Sequence, residues 1–278
     1  MMRKRIRDII EQNRWLKLIP NFLTICNSLC GFGAILYSLH VYSSDRDLAP
    51  RILTLSSLII LSAMVFDALD GWTARLFKAA SMRGLQMDSL ADMVTFGVAP
   101  AVVVAVMAHK MKELQGGAYY FVWVMCAIYL ACAAFRLATY NVHAMVEQKS
   151  TDKFDGLPSP GAAAAVCSLV IFFNATHAEH MVLITVLPVY AGLLGLLMVS
   201  KIRYQHMGKW LQSVRRNNRR MLSFILFLSL FFVFNPIYVA VVAINMYIIS
   251  GPVGAFFRLF TKRDVALLPE DETVDAKA

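Results

Sequence analysis

Long apolar segments are the feature that most constrains how this chain can fold. A helix that crosses a lipid bilayer needs about 20 mostly apolar residues, and eight segments of the chain meet or approach that length. The predicted spans cover residues 20–42, 52–77, 85–108, 118–140, 160–178, 182–200, 221–235 and 237–259. Because a helix satisfies its own backbone hydrogen bonds in lipid, the sequence predicts an all-α integral membrane protein.

The number of spans depends on how the chain passes Asn235-Pro236. Proline disfavours the continuation of a helix, and the apolar run around it, residues 221–259, is too long for one simple crossing. A tight hairpin at this point gives eight spans, whereas a kinked helix gives seven. We favour eight, as a six-helix core followed by two additional C-terminal transmembrane helices.

The charged residues support the eight-span arrangement. With the N-terminus inside, 23 of the 27 lysines and arginines fall in inner segments, and four (Arg46, Arg51, Lys110 and Lys112) fall outside. Basic residues are enriched in the cytoplasmic loops of membrane proteins, so this bias predicts the orientation. The net charge of +9 therefore reflects topology and attraction to anionic lipid, and it does not indicate a nucleic-acid partner.

The chain divides into five segments, and none is expected to be a separate soluble domain. Only 16% of its residues are charged, against about 25% in a typical soluble domain. The segments are a basic interfacial N-terminal stretch (1–19), a six-span membrane core that carries the site (20–200), a basic cytosolic loop (201–220), two further spans (221–260) and a disordered cytosolic tail (261–278).

Four aspartates interrupt the apolar pattern at the inner edge of the second and third spans. Asp67 and Asp70 are spaced i, i+3 at the end of the second span, and Asp88 and Asp92 are spaced i, i+4 at the start of the third. Residues at these spacings share one face of a helix. Because the two helices are consecutive, we expect both acidic faces to point into the same gap.

The charge of this cluster predicts a metal site. An unpaired carboxylate at bilayer depth is costly, four carboxylates repel one another, and the negative end of the helix dipole disfavours Asp67 and Asp70 further. Two divalent cations would balance the four negative charges. Carboxylate oxygens suit Mg²⁺ or Mn²⁺, so we expect two such ions among the aspartates.

The residues between the two aspartate pairs predict a ligand that contains phosphate. Gly71, Ala74 and Gly84 leave space in which a bulky ligand can approach the backbone. Arg75 offers a planar fork of donors that suits phosphate, and Ser81 can donate a further hydrogen bond. This combination favours a nucleotide diphosphate, because paired metals commonly stabilise in-line displacement at phosphorus.

The complete pattern from Asp67 to Asp92, D-x-x-D-G-x-x-A-R-x8-G-x-x-x-D-x-x-x-D, resembles the signature of the CDP-alcohol phosphatidyltransferase family (class I). All eight fixed positions are present. The family core is six membrane helices, so the resemblance extends over about the first 200 residues and implies that the last two spans are an addition. It also implies a homodimer.

Three further regions resemble bacterial members of the family whose acceptor is L-serine. They read "IPNFLTICNSLCGF", "MDSLADMVTFGVAPA", and "ACAAFRLATYNV" with "FDGLPSPGAAAA". The resemblance implies transfer of the phosphatidyl group from CDP-diacylglycerol to the serine hydroxyl, giving phosphatidylserine and CMP. It also implies a bacterial inner membrane location with the site facing the cytosol.

The resemblance assigns roles to the aspartates. It implies that Asp67 and Asp88 bridge both metals, that Asp70 completes one metal, and that Asp92 completes the other. It further implies that Asp92 is the general base, which takes the proton from the incoming alcohol. Such a base raises the rate by about 10²–10⁴-fold, because a serine hydroxyl is a poor nucleophile at neutral pH.

The resemblance also implies contacts with the two substrates. The residues expected to hold CDP-diacylglycerol are Asn21, Thr24, Gly71, Ala74, Arg75, Ser81 and Gly84. The candidates for contact with serine are Arg136, Asn141 and Ser159, which precede or begin the fifth span.

Two other functions stay open at the level of sequence. Glycerol-3-phosphate or an inositol phosphate could be the acceptor, because the inner loops contain further basic residues. A cation transporter is the alternative from another class, since carboxylates within membrane spans often mark ion paths. Carboxylates on such a path should occur at several depths, whereas these four lie together at one edge.

Overall fold

All regular secondary structure is helical in the part of the chain that the structure describes. The structure is a computed structural model, and it describes residues 18–77, 81–112, 116–146, 156–176, 180–202, 204 and 236–266. The elements are α1 (Ile19–Leu39), α2 (Ala49–Leu76), α3 (Met82–Asp92), a π-helix (Met93–Val98), α4 (Ala99–Lys112), α5 (Gly117–Val146), α6 (Ser159–Thr176), α7 (His180–Val199) and α8 (Pro236–Ala266). Two short 3₁₀ turns connect α1 to α2.

Six described segments are long and apolar enough to cross a membrane, which confirms the predicted all-α membrane class. They are Ile19–Ser43, Ala49–Leu76, Met82–Lys110, Gly117–His143, Ser159–Thr176 and Ile237–Phe256. In the third of these, α3, the π-helix and α4 follow one another without a break. A shorter apolar stretch, Val186–Val199, lies in α7 and corresponds to the sixth predicted span.

Several predicted segments lie outside the described residues. These are the N-terminal segment up to residue 17, most of the loop 201–220, and the predicted span 221–235. The choice between seven and eight spans therefore stays a prediction. The last described helix, α8, ends at Ala266, so the predicted tail lies outside the described residues only from 267 onwards.

The helices pack through small side chains and leave large apolar side chains on the outside. Ala34, Ala63, Ala133 and Ala162 are fully buried, whereas large apolar side chains remain exposed, among them Phe22, Leu29 and Phe32 on α1. Small residues allow helix backbones to approach closely in a membrane, where apolar burial alone does not drive association. The main helix pairs are α1 with α2, α5 with α7, α2 with α6, and α1 with α3.

α1 approaches the π-helix closely at Gly31. A Cβ atom on Gly31 would lie 2.5 Å from Thr95 Oγ1 and 2.7 Å from Thr95 Cα. Thr95 Oγ1 donates a hydrogen bond to the backbone oxygen of Asn27 at 2.9 Å. On the other side of the π-helix, Tyr129 Oη donates to the backbone oxygen of Phe96 at 2.8 Å. These contacts stabilise the π-helix. π-Helices are rare in proteins, and those that occur are frequently found at functional sites.

The acidic residues are gathered at one end of the bundle. α2 ends at Leu76 and α3 begins at Met82, and one carboxylate oxygen from each of Asp67 and Asp70 on α2 lies within 4.8 Å of one from Asp88 on α3. The end of α2 and the start of α3 therefore lie at the same level. The first turns of α1 reach that level too, because Thr24 bonds to Asp70.

We expect Gly31→Ala to lower the melting temperature of the detergent-purified protein. The added methyl group would meet the backbone of Thr95, and overpacking of this kind costs about 1–3 kcal/mol. Gly33→Ala is the matched control, because no described atom lies within 4 Å of its Cβ position. Thermal unfolding followed by tryptophan fluorescence measures both, and equal melting temperatures would contradict the close approach.

Candidate active site

The four aspartates form one cluster between α2 and α3. One carboxylate oxygen from each of Asp67, Asp70 and Asp88 lies within 4.8 Å of the others. The Asp92 carboxyl interacts electrostatically with those of Asp67, Asp88 and Asp70. Asp70 and Asp92 are buried, with 5% and 9% of their surface exposed. The structure thus places both acidic faces in one gap.

The first helix supplies neutral hydrogen-bond donors to this cluster. Asn27 Nδ2 donates to Asp92 Oδ1 at 3.1 Å. Thr24 Oγ1 lies 2.9 Å from Asp70 Oδ2 and 3.0 Å from the backbone oxygen of Pro20, so its single proton can serve one of them at a time. Both side chains are buried, because residues three apart on α1 face the same neighbours.

The cluster fits a divalent metal ion. Asp88 Oδ1 is buried and has no hydrogen-bond partner among the described residues, and a buried acceptor without a partner is destabilising. The available donor atoms are carboxylate oxygens, which are hard ligands that suit small divalent cations. Four aspartates this close together could hold such an ion, and its positive charge would offset their repulsion.

Space for a ligand lies beside the cluster on α2. No described atom lies within 4 Å of the position that a Cβ on Gly71 would take. Arg75 is exposed one turn further on, and its Nε donates to the backbone oxygen of Gly71 at 3.0 Å. This bond uses Nε, and the terminal guanidinium nitrogens are potential donors to a ligand. Ala74, on the same turn, is small and half-buried.

Ser81 and Gly84 form the start of α3. Ser81 Oγ accepts a hydrogen bond from the backbone nitrogen of Gly84 at 3.0 Å, which is the usual role of an N-cap serine. The hydroxyl proton of Ser81 stays available to donate. A Cβ on Gly84 would lie 3.6 Å from Asn21 Oδ1, so Asn21 of α1 lies beside this turn.

The serine candidate Asn141 lies in a groove between α3 and α5. Its Oδ1 accepts a hydrogen bond from Ser89 Oγ at 2.8 Å. The groove has a volume of about 360 Å³ and is lined by Gln86, Ser89, Leu90, Met93, Ala134, Leu137, Ala138 and Asn141. Gln86, Ser89 and Leu90 of α3 and Met93 of the π-helix repeat at i, i+3, i+4 and i+7 and so form one helix face. This face differs from that of Asp88 and Asp92.

The other two serine candidates lie near the end of α7. Arg136 is half-buried, and its Nη1 donates to the backbone oxygen of Met198 at 3.4 Å. The loop before Ser159 is hydrogen-bonded to the same end of α7: the backbone nitrogen of Leu157 donates to the backbone oxygen of Leu197 at 3.0 Å. Ser159 itself begins α6 and is 4% exposed. No contact described for Arg136 or Ser159 joins them to the aspartates.

Asn27 is the residue of this site that the sequence analysis missed. It lies within an apolar segment, where a single polar residue gives little signal. The signal that could have identified it is spacing, since Asn21, Thr24 and Asn27 follow one another at intervals of three residues. Such residues lie on neighbouring positions of one helix surface.

Comparisons with known proteins agree with these observations. A family model described as CDP-alcohol phosphatidyltransferase matches residues 17–199. Relatives named CDP-diacylglycerol–serine O-phosphatidyltransferase occur in Helicobacter pylori strain 26695 (29% identical, covering 87% of this chain and 92% of the relative) and in Bacillus subtilis strain 168 (32% identical, 70% and 93%). A relative of the same name in Saccharomyces cerevisiae is 32% identical over 54% of this chain and 52% of its own length.

We expect Asp67→Ala to abolish the rise in melting temperature that Mn²⁺ causes in the purified protein. A ligand that binds only the folded state stabilises that state, and Asp67 contributes an oxygen to the closest group of three carboxylates. Asp47→Ala is the control, because Asp47 is exposed in the 3₁₀ turn between α1 and α2. A full Mn²⁺ response in the Asp67 variant would contradict the assignment of Asp67 as a ligand.

Proposed function

The chain belongs to the CDP-alcohol phosphatidyltransferase family, and we propose that it transfers the phosphatidyl group of CDP-diacylglycerol to the hydroxyl of L-serine. The products are phosphatidylserine and CMP. The relatives that match most of their own length carry the name of this activity. The observation that carries the proposal is the cluster of four aspartates at one end of α2 and α3, with space and an arginine beside it.

The aspartates would hold two divalent cations, Mg²⁺ or Mn²⁺. Asp67 and Asp88 would contact both ions, Asp70 would complete one set of ligands, and Asp92 would complete the other. When bound, such ions stabilise the charge that develops on a diphosphate during displacement at phosphorus. The buried Asp88 Oδ1, which has no partner among the described residues, supports this assignment.

Transfer requires one bond to form and one to break. The serine hydroxyl oxygen attacks the β-phosphorus, which carries the diacylglycerol, and the bond from this phosphorus to the oxygen of CMP breaks. Asp92 takes the hydroxyl proton as general base, and CMP leaves with the electron pair. A direct displacement of this kind forms no covalent intermediate with the protein.

Residues around the cluster would bind CDP-diacylglycerol. Arg75 would contact the diphosphate through its terminal nitrogens, and Ser81 would donate its hydroxyl proton. Gly71, Ala74 and Gly84 would leave room for the ligand. Asn21 would contact the nucleotide. Thr24, which lies 2.9 Å from Asp70 Oδ2, would contact the nucleotide from the same helix.

The acceptor would bind near Arg136, Asn141 or Ser159. A guanidinium group is suited to the carboxylate of serine, which favours Arg136. The half-buried position of Arg136 beside the loop before Ser159 supports a pocket at this end of α7. Asn141 lies in the separate groove between α3 and α5 and is the weaker candidate.

The protein is an integral membrane protein, and we propose that its site faces the cytosol in a bacterial inner membrane. The bias of 23 inner against four outer basic residues supports this orientation. A homodimer is proposed on the resemblance to other family members, and its mass in detergent can be measured by light scattering.

Release of CMP tests the acceptor. We expect the purified protein, given CDP-diacylglycerol and Mn²⁺, to release CMP only when L-serine is added and to form phosphatidylserine. Glycerol-3-phosphate and inositol phosphate, each supplied alone, are the competing acceptors. Mass spectrometry of the lipid product identifies the acceptor, and a product made from either phosphorylated alcohol instead of serine would refute this assignment.

The base role of Asp92 is tested by Asp92→Asn. We expect turnover to fall by about 10²–10⁴-fold, because the amide cannot accept the serine proton. Binding of CDP-diacylglycerol, measured by its effect on the melting temperature, should persist. Asp45→Asn is a control outside the cluster, in the connection between α1 and α2. Near-normal turnover in the Asp92 variant would dismiss the base role.

A further inference from the structure

We propose that Asn27 is a positioning residue, which holds the Asp92 carboxyl in the orientation that the reaction needs. This inference rests on the proposed function, because it concerns the same site. The hydrogen bond described for the Asn27 side chain goes to an aspartate of the cluster. Asn27 acts through Asp92, whose Oδ1 accepts a hydrogen bond from Asn27 Nδ2 at 3.1 Å.

The hydrogen bond joins two buried side chains. Asn27 is fully buried, and Asp92 is 9% exposed. The Asp67 carboxyl on α2 interacts electrostatically with Asp92, so Asp92 has neighbours on both α1 and α2. A carboxylate fixed at one oxygen by an amide N–H can present its other oxygen in a constant direction. Partners that orient a metal ligand or a base in this way commonly change affinity or activity by about 10–100-fold when they are removed.

The amide of Asn27 is not explained by packing. Its carbonyl oxygen Oδ1 is buried and has no hydrogen-bond partner among the described residues. A buried acceptor without a partner is destabilising. A leucine of similar volume would therefore pack in this position at least as favourably as asparagine does. The N–H group that Asn27 offers to Asp92 is the contribution that an apolar residue cannot make. Residues that serve function at some expense of stability are common at active sites.

The backbone around Asn27 is anchored to the helix that carries Asp92. Thr95 Oγ1 donates to the backbone oxygen of Asn27 at 2.9 Å, and Gly31 packs directly against Thr95. Asn27 is thus bonded through its side chain to Asp92, the last residue of α3, and through its backbone oxygen to Thr95 of the π-helix. Thr95 makes no described contact with an aspartate, so it provides a control that perturbs this interface without removing the amide.

Steady-state kinetics of the full-length protein in detergent test the inference first. We expect Asn27→Leu to lower kcat for serine-dependent CMP release by about 10–100-fold, while the KM for CDP-diacylglycerol changes less than about threefold. Thr95→Val should change kcat less than about twofold. Asn27→Asp keeps the shape of the side chain but cannot donate when ionised, so it should also lose activity. Normal kcat in either Asn27 variant, or an equal loss in Thr95→Val, would overturn the proposal.

A second measurement does not depend on turnover. Titration with Mn²⁺ alone, followed by the melting temperature, compares the wild type, Asn27→Leu, Asp92→Asn and the double variant. We expect Asn27→Leu to weaken the Mn²⁺ response when Asp92 is present and to have no further effect in Asp92→Asn. An equal weakening in both backgrounds, or none, would show that Asn27 does not act through Asp92.

The two measurements separate this inference from the proposed function. If the wild type releases no CMP with serine, the proposed activity fails, and the Mn²⁺ titration still decides whether Asn27 positions Asp92. If the wild type is active and the Asn27 variants match it in both measurements, only the positioning role is refuted.

Discussion

Repulsion among four carboxylates is the constraint to which the rest of this structure responds. α2 and α3 hold the acids within one gap, and α1 contacts them through a hydroxyl and an amide rather than through a lysine or an arginine. Neutral donors orient a carboxylate without cancelling its charge. The cluster therefore keeps a strong attraction for cations, which a set of internal ion pairs would have removed.

The position of the cluster suits a substrate with a charged head and lipid tails. The acids lie at the ends of helices that are otherwise apolar and expose large hydrophobic side chains. A nucleotide diphosphate can reach them from the aqueous side, while attached acyl chains stay in the bilayer. Gly71, with open space beside it, and Arg75 lie on the same stretch of helix, so the charged head would meet several of its partners in one place.

The sequence was sufficient to predict those parts of the site that depend on local spacing. Asp67, Asp70, Asp88 and Asp92 are regularly spaced and charged within apolar surroundings, so their common face could be read directly. The partner of Asp92 could not be predicted in this way, because Asn27 is 65 residues away along the chain and lies within a mostly apolar segment. Likewise, Ser81 was expected to contact a ligand, and its bond to Gly84 depends on where α3 begins. The π-helix has no periodic pattern that distinguishes it from an α-helix.

The π-helix sets the rotational register between the acidic part of its span and the part that crosses the hydrocarbon. Each residue added to or removed from a helix turns everything beyond it by about 100°. The π-winding of Met93–Val98 turns the chain less per residue than an α-helix does, so the same six residues wound as a regular α-helix would aim Asp88 and Asp92 in a different direction, even though every aspartate remained in the chain. The direction in which these carboxylates point thus depends on how Met93–Val98 is wound as well as on which residues the chain contains.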